Sequence, residues 1–497
     1  MIFKNVRDIA NNNEAKYFIE KLDVIISIIQ ELKVDREIKK IKKPTNIIIE
    51  ELIKIGIINN VDDIGELEKV IGKKRLINLV SAINYKLDNE GLYKGVLNKF
   101  YNSYRKQIQE IKKNSQLNLV DLFCGAGGLS LGFIEEGFTV KLANDIEEVC
   151  IESYRYNHPE LPDKYLIHDD IKLIVDNIDE YIKDNIDVVV GGPPCQGFSS
   201  ANQQRIIDDP RNKLYKYFIK AVELIAPKFV IMENVRGMLS VAKQVIEDFN
   251  QIKTKQGHRY LAEYQLLNSY DFSVAQSRER LFYIAIRSDI VEKKDITPLK
   301  IFNNILQTSN RKYVLKDALD YIRPLEAERI KNRTEVYNNI TGKKVDKNEY
   351  NPPKDSYVNL INNGQFKRVI FNHKARYCND INYEIYKRLG QGDDATDPKI
   401  ADIMPYAHRN HVFKDKYFKL IEDRPSRTIT AHLRMDCHSH IHPNQIRAIT
   451  PREAARIQSF PDDYLFLGAY LKTYMQIGNA VPPLMAKGIA KEIKKYL

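Results

Sequence analysis

No stretch of this 497-residue chain reaches the run of about 18 apolar residues that a membrane-spanning helix needs. With 29% charged residues, the sequence is expected to hold no membrane segment. The first residues, MIFKNVRDIANNNEAKYF, also lack the apolar core of a secretory signal, so a cytoplasmic location is expected. Cysteine is scarce. Cys124, Cys150, Cys195, Cys378 and Cys437 are an odd number, widely spaced and without a CxxC pair. That argues against a disulfide framework and leaves reduced thiols, one of which is free to react. Positive charge, by contrast, is in excess. A net charge of +11 and a pI near 9.0 suit a polyanionic partner such as nucleic acid, although lysine-rich composition also serves solubility. The 43% hydrophobic content is enough for real cores, and the length suits roughly two to four domains.

The densest local signal is Ile186 to Ser200, IDVVVGGPPCQGFSS. Ile186, Val188, Val189 and Val190 form a short apolar, β-branched run that suits a buried strand. Gly191, Gly192, Pro193 and Pro194 end it abruptly. Cys195 follows at once. In an open parallel sheet, ligands and chemistry gather outside the carboxyl ends of the strands. A thiol held there on a stiff Pro-Pro turn, beside Gln196, Gly197 and Ser199, could act as a nucleophile. A free cysteine also commonly serves as a small buried hydrophobe, and its surroundings have to decide.

Residues 1 to about 112 read as helices, with Ile19, Leu22, Ile25 and Ile26, then Ile48, Leu52, Ile55 and Ile57, at helical spacing. Lysine-rich stretches, Lys39 to Lys43 and Lys112-Lys113, separate and follow them. Either this segment touches DNA phosphates, or it is a solvated bundle packed on the core; the second is the simpler reading. Composition changes at Leu117. LNLVDLFCGAGGLSLGF gives a strand over Leu119 to Phe123, a turn rich in glycine (Gly125, Gly127, Gly128) and a helix start. Such strand-loop-helix units let backbone approach a ligand at a helix N-terminus. The dinucleotide pattern G-x-G-x-x-G would need glycine where Ser130 stands, which disfavours NAD. A second strand, Thr139 to Ala143, ends in Asn144-Asp145, with its carboxylate about 20 residues past the glycines, where an acid can bind ribose hydroxyls. A third strand ends at His168-Asp169-Asp170-Ile171.

After the Cys195 strand, Leu214 to Ile225 reads as a helix, and Phe229 to Met232 as a fifth strand ending at Glu233-Asn234. Cys195 and Glu233 then fall at the carboxyl ends of neighbouring parallel strands and can face one cleft. A thiolate nucleophile and a carboxylic acid partner need that arrangement. A strand near Tyr264 to Leu267 precedes AQSRERLFYIAIR. There Gln276, Arg278 and Arg280 alternate before the strand Leu281 to Ile286 and so share one face. They suit either a polar substrate, a clamp on the active-site loop or a surface salt-bridge stripe.

DLFCGAGG, GGPPCQGFS, ENV, QSRER, RPSRTITA and QIGNAVPP occur in the order found in DNA cytosine-C5 methyltransferases. The chain resembles that family, in its bacterial modification type, over about residues 117 to 290 and 415 to 497. The resemblance implies an α/β fold: a mostly parallel, Rossmann-like sheet flanked by helices, dependent on S-adenosylmethionine. A smaller target-recognition domain and the N-terminal helical domain accompany it. The corresponding divisions are 1–115, helical; 116–290, catalytic; 291–415, target recognition; and 416–497, a segment completing the last two.

The resemblance also implies a catalytic set of Cys195, Glu233, Arg278, Arg280 and Gln276. Cys195 matches the nucleophile. Cytosine C5 is a poor nucleophile until a thiolate adds at C6, and a free thiol, with a pKa of about 8.5, needs a site that favours the thiolate. Glu233 matches the residue at base N3, Arg280 the arginine on the base carbonyl, and Gln276 and Arg278 neighbours that position the site. Ala275 stands where the family usually has proline, which bears on local stiffness. For the cofactor, Phe123 and Ile171 with Asp170 match adenine contacts, Gly125 and Gly127 the close backbone approach, and Asp145 the ribose carboxylate. Ile146, Pro193, Leu214, Asn479 and Val481 complete that set. Cys124, in the glycine turn, is aimed at the cofactor and not at the base.

The region of about 291 to 414 has little α/β rhythm and carries Tyr350, Asn351, Pro352 and Pro353. The resemblance makes it the reader of base edges in the major groove; a flexible linker is the other reading. RPSRTITA, Arg424 to Ala431, organises it. His432, Cys437, His438, His440 and His442 crowd together beyond, at a spacing unlike common zinc sites, so polar or structural contacts are expected and no metal. Thr450, Pro451 and Glu453 predict a helix with a capping box.

The implied activity is site-specific methyl transfer to C5 of a flipped cytosine in duplex DNA through a Cys195–C6 adduct, with S-adenosylhomocysteine as product. Implied partners are double-stranded DNA with a short recognition sequence and a cognate restriction endonuclease outside any stable complex. The chain would be a monomer, associated with the nucleoid through DNA. Two rivals remain: an RNA cytosine methyltransferase, and a DNA-binding regulator that has lost catalysis.

Overall fold

A computed structural model describes residues 2–34, 37–113, 117–194, 213–405 and 416–497. The apolar runs beyond Leu117 become one seven-stranded sheet. Its strands are β1 (Asn118–Leu122), β2 (Thr139–Asp145), β3 (Leu166–His168), β4 (Val188–Gly191), β5 (Phe229–Asn234), β6 (Tyr260–Asn268) and β7 (Glu279–Arg287). Their order is β3-β2-β1-β4-β5-β7-β6. β1 to β5 pair in parallel, and β7 runs antiparallel to both β5 and β6. The chain builds outward from β1 to β3, then restarts on the other side with β4, so the topological switch point lies between β1 and β4. A crevice is expected at the carboxyl ends there.

Helices cover both faces, which is why the central strands are apolar on both sides. Val188, Val189 and Val190 are all fully buried. One face packs on the helices Gly128–Glu135, Pro298–Gln307 and Pro483–Lys494. The other packs on Ile171–Asp176, Lys213–Ile225 and Ala242–Gln251. The helix Pro298–Gln307 corrects one expected boundary. It lies within the region assigned to target recognition from 291 onward, yet Ile301, Phe302 and Ile305 join the core of the catalytic sheet. β2 and β5 also run two residues past their apolar patterns, because Asp145 still pairs with His168 and Asn234 with Leu281. Polar residues remain in the ladder there because these strand ends reach the crevice.

The N-terminal segment is a helical bundle packed on the rest of the molecule. Ile48, Leu52, Ile55 and Ile57 are buried in a core that also takes in Tyr156, Leu465 and Leu467. That core reaches a two-stranded antiparallel sheet, β8 (Gly342–Lys347) with β9 (Val369–Lys374), through Val345, Val369 and Phe371. Lys39, Lys40, Lys42 and Lys43 are exposed. The middle region is therefore folded, not a linker, with β9 held to the C-terminal segment by Asn372 Nδ2 donating to Phe466 O at 2.9 Å. The helix Pro451–Ile457 has the expected capping box: Thr450 Oγ1 accepts from Glu453 N at 3.1 Å and Glu453 Oε2 from Thr450 N at 2.7 Å. No helix among the described residues is long and apolar enough to cross a membrane.

Candidate active site

A cleft of about 540 Å³ opens at the carboxyl ends of β1, β2, β4 and β5. That volume suits a nucleoside-sized ligand. Its floor is the glycine turn. Phe123 leaves β1 with φ 60°, and Gly125 and Gly127 follow at φ 54° and 93°, in the left-handed region that glycine tolerates best. At Gly127 a Cβ would come within 2.7 Å of Tyr464 Oη, and at Gly128 within 2.4 Å of Val481 O. At Gly125, which borders the cleft, a Cβ would meet nothing within 4 Å. Glycine thus preserves both a tight inner packing and open space on the cleft side. Asp145 ties the turn down, its Oδ2 accepting Gly125 N at 2.9 Å and its Oδ1 accepting Glu147 N at 2.8 Å. Burial raises the Asp145 pKa against the pull of these two amides.

Phe123, Gly125, Asp145, Ile146, Asp170, Ile171, Pro193, Leu214, Asn479 and Val481 all line this cleft. Asp170 caps the next helix, its Oδ1 accepting Lys172 N at 2.8 Å. Gly127 shapes the turn from behind without bordering the cleft. Asp121, Glu147, Cys150, Met475 and Gln476 line it as well. The sequence reading missed these five. Asp121 stands inside an apolar strand run, Glu147 precedes the helix Glu148–Asn157, and the others sit on helices whose facing no local pattern reveals. Cys124 is buried with its pKa raised well above the ordinary thiol range, first by desolvation and then by Asp121. It is unsuited to nucleophilic work, as is Cys150, raised by the same cause.

At the other end of the cleft lie Glu233, Arg278 and Arg280. Glu233 Oε1 is 2.9 Å from Arg280 Nε, with both side chains almost buried. Burial raises the Glu233 pKa above the usual carboxylate range, while Arg280 and Arg278 oppose that rise. Asn234 Nδ2 donates to Pro193 O at 3.0 Å, which holds the end of β5 against the Pro-Pro turn. Pro194, to which Cys195 is joined, borders the cleft; Cys195 itself lies outside the described residues.

The QSRER residues divide their work more than simple alternation suggests. Arg278 is 1% exposed and its guanidinium donates to Ile429 O at 2.5 Å, Gly478 O at 2.8 Å and Ala480 O at 3.1 Å. It fastens RPSRTITA and GNAVPP to the sheet. Gln276 does not border the cleft; its Nε2 donates to Gln458 Oε1 at 2.7 Å and its Oε1 accepts Ile429 N at 2.7 Å. It lies before β7 begins, bridged to Ser426, so within the expected catalytic set it stands apart from the cleft, where only a positioning part is open to it. The histidines beyond RPSRTITA take separate partners. His438 stacks on Tyr417 at 4.4 Å and bonds Tyr386 Oη at 2.7 Å, while His442 Nδ1 accepts Asn444 N at 3.1 Å. Burial pushes His438 and His440 down to about 4, so they are neutral packing groups.

The family model for C-5 cytosine-specific DNA methylase matches residues 117–495. The chain belongs to this family. Among relatives of this DNA methylase, the type II methyltransferase M1.HphI of Haemophilus parahaemolyticus is 32% identical over 76% of this chain and 87% of its own length. M.AgeI of Thalassovita gelatinovora is 30% identical over 76% of this chain and 99% of its own. A prophage-encoded DNA modification methyltransferase of E. coli has a solved structure that aligns with a TM-score of 0.57 at 25% identity, covering 76% of this chain and 99% of that one. This protein is a DNA (cytosine-5)-methyltransferase of the type II restriction-modification kind. The residues ahead of 117 fall outside the family match.

Proposed function

We propose that this methyltransferase modifies a cytosine flipped out of a short duplex sequence, through a covalent bond between Cys195 and cytosine C6. The Glu233–Arg280 pair supports the reading most: a buried acid that can keep a proton, beside a guanidinium, on the wall of a cleft whose other end is a glycine turn. The open space beside Gly125 and the carboxylate of Asp145 fit S-adenosylmethionine. Asp145 would take its ribose, Phe123, Asp170 and Ile171 its adenine, and Pro193, Leu214, Asn479 and Val481 the remaining walls. When bound, that cofactor supplies the methyl group.

The Cys195 thiolate adds at C6, and the displaced C5–C6 π pair moves toward N3, where Glu233 supplies a proton or hydrogen bond. C5 is then enamine-like. After C5 has been methylated, water takes its proton, the C5–H pair re-forms the C5–C6 double bond as the C6–S bond breaks to release the Cys195 thiolate, and N3 returns its proton to Glu233. Arg280 holds the base carbonyl and keeps Glu233 oriented. Arg278 and Gln276 act through others: they fix the two returning segments. Flipping the base costs a few kcal/mol of stacking. The protein would act as a monomer on DNA in the nucleoid, protecting sites that a separate endonuclease cuts.

The test is methyl transfer from labelled S-adenosylmethionine to unmethylated duplex, wild type beside Cys195→Ser, with transfer RNA as a competing substrate. Label on cytosine C5 at one repeated sequence, lost in the variant, is expected. Label on the RNA instead, or a fully active Cys195→Ser, would refute the substrate or the nucleophile respectively.

A further inference from the structure

The helix Asn12–Glu31 stands outside the family match of 117–495, yet it touches both helices that wall the cofactor cleft. Tyr17, Glu20 and Lys21 lie three and four residues apart and so share one face. Tyr17 packs on Val149, Cys150 and Met475, of which Cys150 and Met475 border the cleft. Glu20 accepts the backbone N–H of Gly468 at 2.9 and 3.1 Å through its two oxygens. Gly468 sits just ahead of the helix Tyr470–Asn479. There φ is +91° and a Cβ would come within 2.5 Å of Val149 Cγ2. Lys21 Nζ lies 2.6 Å from Glu152 Oε2 on the helix Glu148–Asn157 and also donates to Ile2 O at 2.8 Å. Lys21 is 2% and Glu152 8% exposed.

One short face therefore grips two helices that are more than 300 residues apart in the chain only through packing and hydrogen bonds, since no strand pairing joins them. Elsewhere along this seam, at the far end of the helix Glu148–Asn157, Ser153 Oγ accepts Leu467 N at 2.9 Å and the Asn157 side chain exchanges two bonds with the Leu465 backbone at 2.7 and 3.0 Å. At the end beside the cleft a further polar cross-link is an exposed ion pair, Lys472 to Glu147 at 3.2 Å, which is worth little in water. A ligand cleft whose walls drift apart is competent for only part of the time, and its apparent affinity falls by that fraction. We propose that Tyr17, Glu20 and Lys21 form a clamp through which the N-terminal helical domain sets the affinity of the cleft for the S-adenosyl cofactor. The clamp rests on the reading of this cleft as the cofactor site.

The full-length protein is titrated with S-adenosylhomocysteine by calorimetry as wild type, Tyr17→Ala, Tyr17→Phe and Glu20→Ala, and separately with duplex DNA. Tyr17→Ala and Glu20→Ala should each weaken the product by about three- to tenfold. Tyr17→Phe, which keeps the ring, should stay within about twofold, and DNA affinity should not move. By linkage, S-adenosylhomocysteine should slow hydrogen exchange along residues 12–31 of the wild type. Folded Tyr17→Ala and Glu20→Ala proteins that bind like wild type would overturn the clamp, as would equal losses for product and DNA. Should Tyr17→Ala fail to fold, Glu20→Ala and the exchange measurement carry the decision. A wild type that binds no S-adenosylhomocysteine at all would refute the cleft reading itself, and the clamp with it.

Discussion

Replacing Glu233 with glutamine isolates the chemical part of the proposed mechanism. The side chain keeps its size and one oxygen for Arg280 Nε, now 2.9 Å away, and loses only the charge and the titrating proton. Exchanging a charged acceptor for a neutral one costs about 1 kcal/mol of folding stability. Relief of the buried carboxylate's desolvation, visible as its raised pKa, offsets part of that, so the variant should fold and bind S-adenosylhomocysteine normally. Its rate should not survive. Positioned acid–base help is worth about 10²- to 10⁴-fold, or about 3 to 5 kcal/mol of barrier. The sign of the pH dependence follows from the direction of the shift. Burial favours the neutral carboxyl, so the acid form is populated below the raised pKa and is lost as pH climbs through it. In single-turnover methyl transfer the wild type should show a limb that declines with rising pH and belongs to Glu233, and Glu233→Gln should lack it. A variant within about threefold of wild type across the range would refute the role of Glu233 in the chemistry.

The supporting residues give further outcomes. Arg278→Lys replaces a fork that reaches three carbonyls with a single ammonium, and kcat/KM should fall by about a hundredfold through misplacement of the returning segments, measured on the same duplex. Gly132→Ala would press a Cβ to within 2.4 Å of Lys487 N and 2.5 Å of Ala486 Cβ, so denaturant unfolding should show a loss of about 1–3 kcal/mol. Arg456→Met strands Asp462, now held at 2.7 and 2.9 Å by the guanidinium with neither side chain exposed, and should cost about 3–5 kcal/mol at neutral pH. Burial alone would raise Asp462, but Arg456 keeps it below its ordinary value. The pair's contribution is therefore full above the unfolded carboxylate pKa of about 4 and fades as pH falls. The gap between wild type and variant should narrow in acid; a gap independent of pH would refute the assignment.

The sequence made the strand ends of the sheet legible because its signals there are local. A β-branched run stopped by Gly-Gly-Pro-Pro marks the end of β4, a glycine turn the end of β1, and an acid after an apolar run the ends of β2 and β5. Burial on both faces removes polar alternation, so each central strand reads as a continuous apolar stretch whose end is easy to see. Glu233, Asp145 and Gly125 could be picked out on those grounds, and all border one cleft together with Arg280, which alternation and the resemblance marked. Polar tails escaped. Asn144, Asp145, Glu233 and Asn234 remain in the strands despite their chemistry, because the crevice they reach accepts polar groups.

What spacing could not convey is partnership at long range. Gln276 and Gln458 meet across 182 residues, and Arg278 finds its carbonyls 151 to 202 residues away. Nothing near either residue names those partners, and the alternation of QSRER left a substrate contact, a clamp and a salt-bridge stripe equally open. Lys21 and Glu152 pose the same problem, separated by 131 residues. On an amphipathic helix a lysine reads as solvent-facing, and only the partner's position turns it into a buried link. Local sequence thus identifies the groups suited to chemistry, whereas the residues that hold those groups in register are spread over segments whose meeting is decided by the fold. That division explains why a helix outside the family match can still govern the cleft: the chemistry needs the strand ends, but the width of the cleft depends on whatever packs behind its walls.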